Sequence, residues 1–545
     1  MKKSYFYFVA RRWAVMVVMM LLLPVTAVKV MAQNPYLPLW EHIPDGEPYV
    51  FEDPDMPGKY RVYIYGSHDS RRTDYCGREQ VVWSASVDNL TQWRYDGIIF
   101  ESKKDAQGNL LNAGGEGDVL FAPDIAVKTE KNGKKTYYLY PNNQAGGRQT
   151  MVCKSDRPDG PFEVCNWNPD NPKETVGILQ FDPGAFVDDD GRVYGYWGFT
   201  QSWGAELDPA TMATLKKGGQ RIENMVPSFE QDDVFRFFEA SSIRKIKDKY
   251  VFIYSRWTRK GEFDLYDTNY TLAYAYSDYP LGPFKYGGTI IDGRARGTDE
   301  QGRAIPTANP TGNTHGSICE INGQWYVFYH RQTGVNEYSR QAMVAPITVK
   351  VTEGLGGKVE ISEGEYTSEG FEINGLDPQK RYPAAIACYM TGPEEVYRNE
   401  TGSVFSGPYV KATYIEGIPK GDVYDLKVNC NPVVNNTDGS ILGYKYFNFS
   451  KIDRKRAVRM LLNMKTLGIA GHVDVMVDSP WESRGGKKIG SLDIKKNTAA
   501  KAKDVAVKLS GIDGLSGKHG VYLVFSSPVK KQSMCEIYNL CLQGR

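Results

Sequence analysis

Apolar and polar positions alternate with a period of two in five short stretches of this chain, each opening on a Gly or Lys turn residue. They are Lys59-Tyr-Arg-Val-Tyr-Ile-Tyr65, Lys135-Thr-Tyr-Tyr-Leu-Tyr140, Gly191-Arg-Val-Tyr-Gly-Tyr-Trp197, Lys249-Tyr-Val-Phe-Ile-Tyr254 and Gly323-Gln-Trp-Tyr-Val-Phe-Tyr329. A period of two puts successive side chains on opposite faces, so each stretch predicts a strand. The copies recur roughly every sixty to seventy-five residues, longer than a minimal propeller blade and with room for loops. A second element follows some of them. Lys154-Ser-Asp-Arg-Pro-Asp-Gly-Pro-Phe162 matches Tyr276-Ser-Asp-Tyr-Pro-Leu-Gly-Pro-Phe284, and Ala85-Ser-Val-Asp-Asn-Leu-Thr-Gln-Trp93 is a looser version. Each predicts a strand, a tight turn and an aromatic residue opening the next strand. Five copies of a multi-strand unit without helical stretches predict an all-β fold, with a five-bladed β-propeller over residues 33–352. The unequal spacing fits blades with variable loops better than a long sandwich or a solenoid.

The repeat stops near residue 350. Residues 353–384, Gly-rich from Gly354 to Gly364, read as a linker or closing segment. Residues 385–545 read as a β-sandwich of jelly-roll type, with strands expected at Val423–Val428, Ala457–Asn463, Val473–Val477, Val505–Leu509 and Val521–Phe525. Two domains suit a chain of 545 residues. The first 32 residues read as a signal peptide: Lys2, Lys3, Arg11 and Arg12, an apolar run from Trp13 to Val28, then Val30-Met-Ala32 as the cleavage site. A cut after Ala32 implies a periplasmic or secreted protein with no membrane segment once the signal is removed.

Composition sharpens this picture. Aromatic residues are 12% of the chain, with 36 Tyr and 10 Trp, which suits strands. The formal charge of +1 argues against nucleic acid, which needs a basic face. The eight cysteines are scattered with no CxxC pair, so a zinc cluster is not supported. Cys153 with Cys165, and Cys535 with Cys541, are close enough in sequence for disulfides in an exported protein; isolated buried thiols are the alternative.

Loops at one end of a propeller converge on its axis, so an acid at the same place in several repeats is the pattern to seek. Asp45 stands before the first repeated strand, Asp182 in Phe181-Asp-Pro before the third, and Glu239 in Phe238-Glu-Ala before the fourth. Each is flanked by apolar or backbone-restricting residues. Glycoside hydrolysis needs one carboxylate to activate water and a second carboxyl group that stays protonated to donate to the leaving oxygen. A third acid can hold that second group's pKa up by like-charge repulsion. Asp188-Asp-Asp190 before Gly191 reads as a hairpin turn, since EF-hand spacing is absent. Trp40, Trp203 and Tyr36 could stack on sugar faces or belong to the core.

Several motifs together resemble glycoside hydrolase family 43. They are Asp45-Gly-Glu-Pro ahead of Tyr63-Ile-Tyr-Gly-Ser-His-Asp69, Phe121-Ala-Pro-Asp124, Phe181-Asp-Pro with Asp188-Asp-Asp-Gly191, Glu239-Ala-Ser-Ser, and Gly312-Asn-Thr-His-Gly316. The resemblance spans roughly residues 34 to 350 in the family's motif order. It implies an inverting mechanism with Asp45 as general base, Glu239 as general acid and Asp182 tuning and orienting Glu239. The family's Asp-Pro is here Asp45-Gly-Glu-Pro, which leaves Glu47 as a rival base. Arg340 matches the late-blade arginine that contacts substrate. Asp124 reads as a substrate contact or a turn acid, and His68 as packing behind the site or a substrate contact. His315 matches the axial histidine that in many members ligates a cation, often calcium, or orders water; the chemistry itself requires no cofactor. The C-terminal region resembles family 6 carbohydrate-binding modules, carried by Val473-Asp-Val-Met-Val-Asp478, Lys488-Ile-Gly490 and Gly517-Lys-His-Gly-Val-Tyr-Leu-Val-Phe525. Family members bind sugar through exposed aromatics and often hold a structural calcium. Tyr446, Phe447 and Trp481 are the candidates here, and a sandwich that only buttresses the propeller is the alternative.

The expected function is an inverting glycoside hydrolase on plant polysaccharide side chains, α-L-arabinofuranosidase first and β-xylosidase second. An exo-acting galactan hydrolase of the same family and a non-catalytic carbohydrate-binding propeller are the alternatives. The expected partner is an oligo- or polysaccharide, and the expected state a monomer.

Overall fold

A computed structural model describes residues 33–144, 146–308, 312–333, 337–393, 407–415 and 417–544. The expected signal peptide and its cleavage site lie outside the described residues. Among the described residues there are strands, turns and short 3-10 turns but no α-helix, and no helix is long and apolar enough to cross a membrane.

Five antiparallel sheets form the propeller. Blade 1 holds Glu47–Glu52, Tyr60–Tyr65, Glu79–Ser86 and Trp93–Glu101 in that order. Blade 2 holds Asp124–Thr129, Lys135–Tyr140, Cys153–Ser155 and Glu163–Val164, and blade 3 Gly184–Val187, Val193–Trp197, Trp203–Leu207 and Arg221–Glu223. Blade 4 holds Phe237–Ile246, Lys249–Thr258, Thr268–Ser277 and Lys285–Asp292. Blade 5 has three strands, Ser317–Ile321, Gln324–Arg331 and Gln341–Ile347. The repeated Tyr-rich stretch is the second strand of every blade. Its alternating side chains reach both blade faces, which explains why it is the most apolar strand of each unit. The second repeated element is the turn from third to fourth strand, and its closing aromatics Trp93, Phe162 and Phe284 are buried.

Apolar clusters fill the junctions between neighbouring blades and close the ring. Tyr63, Val82, Ile125 and Leu139 pack between blades 1 and 2, and Val152, Val193 and Ala205 between blades 2 and 3. Tyr196, Phe252 and Ala273 join blades 3 and 4, and Ile253, Leu272, Val327 and Met343 join blades 4 and 5. Ile64, Trp83, Phe328 and Val344 complete the circle between blades 5 and 1. The N-terminal segment flanks the third strand of blade 5: the Asn34 side-chain amide donates to Val344 O (2.6 Å) and its Oδ1 accepts from Val344 N (3.0 Å).

After blade 5, Val349–Val351 pairs with Val359–Ile361 as a hairpin held against blade 4, where Tyr274 Oη donates to Val359 O at 3.2 Å. The sandwich follows. One sheet orders Tyr409–Val410, Val433–Asn436, Cys535–Gly544, Val458–Thr466 and Lys503–Lys508, with Tyr382–Pro383 on Cys535–Gly544. The other orders Tyr389–Thr391, Ile441–Asn448, Lys518–Ser526, Gly471–Val477 and Lys487–Ile494. Val423–Val428, expected as a strand, is instead a run of turns. The Asp422 and Asp425 side chains accept Tyr424 N (3.0 Å) and Lys427 N (2.9 Å), so local side-chain bonds outcompete a ladder. Its Val423 and Leu426 pack on blade 1. None of the eight cysteines is in a disulfide, so neither Cys153 with Cys165 nor Cys535 with Cys541 is bridged.

The sandwich is seated on the propeller by buried polar contacts. Arg331 of blade 5 is fully buried and donates to Ala385 O (2.6 Å) and Ala387 O (3.0 Å). Leu39 O accepts from Asn431 (2.9 Å), Tyr424 Oη donates to Tyr36 O (3.1 Å), and Phe371 fills the cluster around Tyr36 and Trp93. A chain ending at residue 364 therefore strips Arg331 of two carbonyl partners. Losing these partners together with the packing of Phe371 and Tyr424 is expected to cost about 3–5 kcal/mol, which for a domain of this size lowers the melting temperature by about 4–8 °C, read by calorimetry. A truncated chain melting with the full-length protein would contradict this seating.

Candidate active site

The upper ends of the inner strands bring the three acids together. Asp45 precedes inner strand Glu47–Glu52, Asp182 precedes Gly184–Val187, Glu239 lies near the start of Phe237–Ile246, and His315 precedes Ser317–Ile321. The backbone turns sharply at each carboxylate: φ is 59° at Asp45, 47° at Asp182 and 69° at Ala240, next to Glu239. Left-handed backbone is disfavoured for residues with a Cβ and persists where surrounding structure enforces it, commonly at functional sites. Around Glu239 the pairing with the second strand slips twice, a bulge that re-aims the side chain. Gly184 permits the approach of blade 3 to blade 4, since a Cβ there would stand 2.7 Å from Ser241 O.

The three carboxyl groups have different surroundings. Asp45 is buried, yet its carboxyl is held below the usual range. Burial pushes it up, and Arg340, His330, His315 and a hydrogen bond from Ser67 outweigh that push. Arg340 Nη1 lies 3.1 Å from Oδ1 and 3.2 Å from Oδ2 of Asp45. Glu239 is pushed well above its ordinary value, first by burial and then by the charge of Asp182. Asp182 is raised to about 6, chiefly by burial, against the attraction of His315. Its Oδ1 accepts from Asn142 (2.9 Å) and its Oδ2 from Ala240 N (3.1 Å), which ties it to the residue after Glu239. Near neutral pH this gives an ionised Asp45 opposite a protonated Glu239, with Asp182 between them in function.

Other residues singled out in the sequence take different places. Glu47 is fully buried below the acids, and its Oε2 accepts from Arg244 Nη2 (2.7 Å) and Ser242 Oγ (3.1 Å), so it is not poised as a base. Arg340 spends its nitrogens inside the protein: Nε and Nη2 bond Asp69 at 2.9 and 2.8 Å, and Nη1 bonds Asp45 and Asn313. It holds Asp45 from behind and is itself buried. Asp124 is neither a turn residue nor free for substrate. It opens the inner strand of blade 2, with Oδ1 accepting from Tyr49 Oη and Oδ2 from Ala185 N, both at 2.7 Å. The two ring nitrogens of His68 face Glu41 (3.0 Å) and Glu79 (2.9 Å), and the ring is raised to about 10 because these carboxylates outweigh its burial. It packs behind the site.

His315 sits between Glu47 and Asp182, with Nε2 3.7 Å from Glu47 Oε1 and Nδ1 3.6 Å from Asp182 Oδ2. Burial lowers its pKa, but the carboxylates raise it further, to about 9. Calcium prefers six to eight oxygen ligands. Among the described residues no group of three or more His, Cys, Asp or Glu is arranged to hold a metal. The residues around His315 therefore do not fit a calcium ion bound by protein side chains alone.

The aromatics also sort differently. Tyr36 and Trp40 are core, and Trp203 stacks on Trp197 at 6.2 Å. Phe447 is core of the sandwich, Tyr446 Oη donates to Glu365 (2.6 Å), and Trp481 packs on the Met476 and Tyr522 cluster. A row the sequence reading passed over flanks the acids. Phe181 meets Phe199 (4.9 Å), Phe199 meets Phe238 (5.2 Å), and Phe238 and Phe229 both meet Trp257 (5.1 and 5.5 Å). Phe181 and Phe238 directly precede Asp182 and Glu239, and Phe199 is 48% exposed.

The model of glycosyl hydrolases family 43 matches residues 48–352. The chain belongs to this family. As a family 43 enzyme it is a glycosidase acting on carbohydrate. The match begins three residues after Asp45, so the place of the base rests on the geometry above. A xylosidase/arabinosidase of Thermoclostridium stercorarium is 35% identical over 433 residues, 76% of this chain and 82% of that protein. A xylosidase/arabinosidase 43A of Humicola insolens is 32% identical over 320 residues, 50% of this chain and 84% of that protein. An arabinoxylan arabinofuranohydrolase of Paenibacillus polymyxa is 24% identical over 495 residues, 88% and 69% of the two chains.

General acid and base groups each contribute about 10²- to 10⁴-fold, and Asp45→Asn and Glu239→Gln are each expected to lower kcat/KM by that order while the fold survives. The base must be ionised and the acid protonated. Activity should therefore fall on acidification only below the usual carboxylate range, and on alkalinisation only above it. Asp182→Asn removes the like charge, lowers the pKa of Glu239, and is expected to move the alkaline limb of the pH–rate profile to lower pH. An alkaline limb that stays in place in Asp182→Asn would remove Asp182 as the modulator.

Proposed function

We propose that this protein is an exported, inverting α-L-arabinofuranosidase that removes side-chain pentose units from plant-type polysaccharide. The observation that supports catalysis is the pairing of an ionised Asp45, fastened by Arg340, with a protonated Glu239 held by burial and Asp182. Asp45 takes a proton from water as the water attacks the anomeric carbon. Glu239 gives its proton to the departing glycosidic oxygen, so the configuration inverts in one displacement. Asp45 and Glu239 return to their starting states by exchanging protons with solvent. Export rests on the basic and apolar N-terminal stretch ending at Ala32.

A pentose substrate is supported by the relatives named for xylosidase and arabinosidase action. β-Xylosidase is the second reading, because those same relatives carry both names. A polymeric substrate is supported by the aromatic row. The leaving group lies beside the general acid, and Phe238, the residue before Glu239, belongs to a partly exposed aromatic cluster suited to contacting a main-chain sugar.

The panel to run is α-L-arabinofuranoside, β-D-xyloside and β-D-galactoside aryl glycosides, with arabinoxylan beside them and Glu239→Gln as control. Release from the arabinofuranoside, lost in the variant, is the expected outcome; release from the xyloside alone would favour the second reading. Phe238→Ala and Trp257→Ala are expected to raise KM for arabinoxylan about three- to ten-fold, from about 0.5–1.5 kcal/mol per aromatic contact, and to leave the aryl glycoside nearly unaffected. Equal effects on both substrates would place the row away from the leaving group.

A further inference from the structure

Directly below the three acids the axis holds one guanidinium, that of Arg244. Its nitrogens are all engaged. Nη2 donates to Glu47 Oε2 (2.7 Å) and Pro48 O (3.2 Å), and Nε to Ile318 O (3.1 Å). Nη1 donates to Ile243 O (2.8 Å), Tyr49 Oη (3.1 Å) and Ser242 Oγ (3.3 Å), and the guanidinium lies 4.4 Å over the Tyr49 ring. These contacts reach blades 1, 4 and 5. Tyr49 passes the connection to Asp124 of blade 2, and Asp124 passes it to Ala185 of blade 3. On the upper side Glu47 faces His315, and His315 faces Asp182.

We propose that Arg244 is the resident axial cation of this enzyme: its guanidinium holds Glu47 so that Glu47 and Asp182 clamp the two ring nitrogens of His315, and the clamp fixes Asp182 beside the general acid. Arg244 is a positioning residue, acting through Glu47 and His315, and it touches no substrate. Glu47 is a fully buried carboxylate, and a buried charge persists only with a partner of opposite sign. The fork of Arg244 supplies that partner from inside the fold at Oε2 of Glu47, while His315, where the family resemblance implied a cation, faces Oε1 of the same carboxylate. Guanidinium, carboxylate, imidazole and carboxylate then succeed one another along the axis, from Arg244 through Glu47 and His315 to Asp182. The expected consequence is an enzyme whose activity and stability do not depend on added calcium.

The kinetic part rests on the glycosidase reading, and wild-type turnover on the panel above tests that reading separately. The full-length chain is compared with Arg244→Met, Arg244→Lys and Glu47→Gln on the aryl glycoside that the wild type cleaves. Displacement of a catalytic constellation by about an ångström costs on the order of a hundred-fold. Arg244→Met and Glu47→Gln are expected to lower kcat by between about ten- and a hundred-fold with KM nearly unchanged. Arg244→Lys, which keeps the charge but loses the planar fork, is expected to recover most of kcat even where its melting temperature is lower. A purely structural staple predicts the reverse: Lys failing as Met does, with the loss following the folded fraction. Should Arg244→Met not fold, Glu47→Gln carries the test, and an unchanged kcat there overturns the proposal. Independently of turnover, calorimetric titration and thermal melting with millimolar calcium chloride or chelator should show no saturable binding or shift that depends on His315, the wild type and His315→Ala responding alike. Saturable calcium binding that the wild type shows and His315→Ala loses would overturn the proposal even if the enzyme cleaves every sugar on the panel.

Discussion

The structure depends on placing ionised groups on a dry axis, and the Arg244 guanidinium is where that requirement is met. A propeller leaves a channel where its inner strands meet, and their inward side chains must fill it. Here the filling is polar: Glu47, Tyr49, Asp124, Ser242, Arg244 and Ser317 form one bonded layer across the five blades. Removing a carboxylate from water is costly unless a cation and further donors replace the water. Arg244 does this with a rigid fork whose donors reach three blades at once. The layer thus sets the spacing of the inner strands, and the catalytic acids stand on the ends of those strands.

Three carboxyl groups on one axis acquire three roles from their neighbours. Asp45 has the guanidinium of Arg340, which Asp69 anchors from the other side, and it stays ionised. Glu239 has burial and a neighbouring carboxylate, and it keeps its proton. Asp182 has backbone and amide donors but also burial, and its raised value falls between the two. In the proposed mechanism the same side-chain chemistry serves as base, acid and modulator because the local electrostatics differ, not because the residues do. The sandwich supports this arrangement from outside. It receives the buried Arg331 of blade 5 and packs Phe371 and Tyr424 against the junction of blades 5 and 1.

Local pattern carried much of this. The period-two stretches marked the second strand of every blade, and Phe162 and Phe284 marked the turns into the fourth. Asp45, Asp182 and Glu239 were legible because each recurs at the entrance of an inner strand. Arg244 carried no such mark. It lies within Ile243-Arg-Lys-Ile246, which reads as an ordinary edge of a strand, and only the register of blade 4 aims it at the axis. Asp124 and His68 stood in motifs, but motif membership does not say which way a carboxylate or an imidazole faces. Val423–Val428 misled because its apolar residues are also those of a turn segment packed on another domain.

By itself the sequence determined the strand periodicity, the number of blades and the acids at the strand entrances, since these follow from spacing along one chain. The tertiary structure alone decided that Arg340 pairs with Asp45, that Arg244 pairs with Glu47, and that Phe181, Phe199, Phe229, Phe238 and Trp257 come into contact. Those pairings join residues up to about three hundred positions apart, and their partners are chosen by burial, where every charge must find a counter-charge within reach.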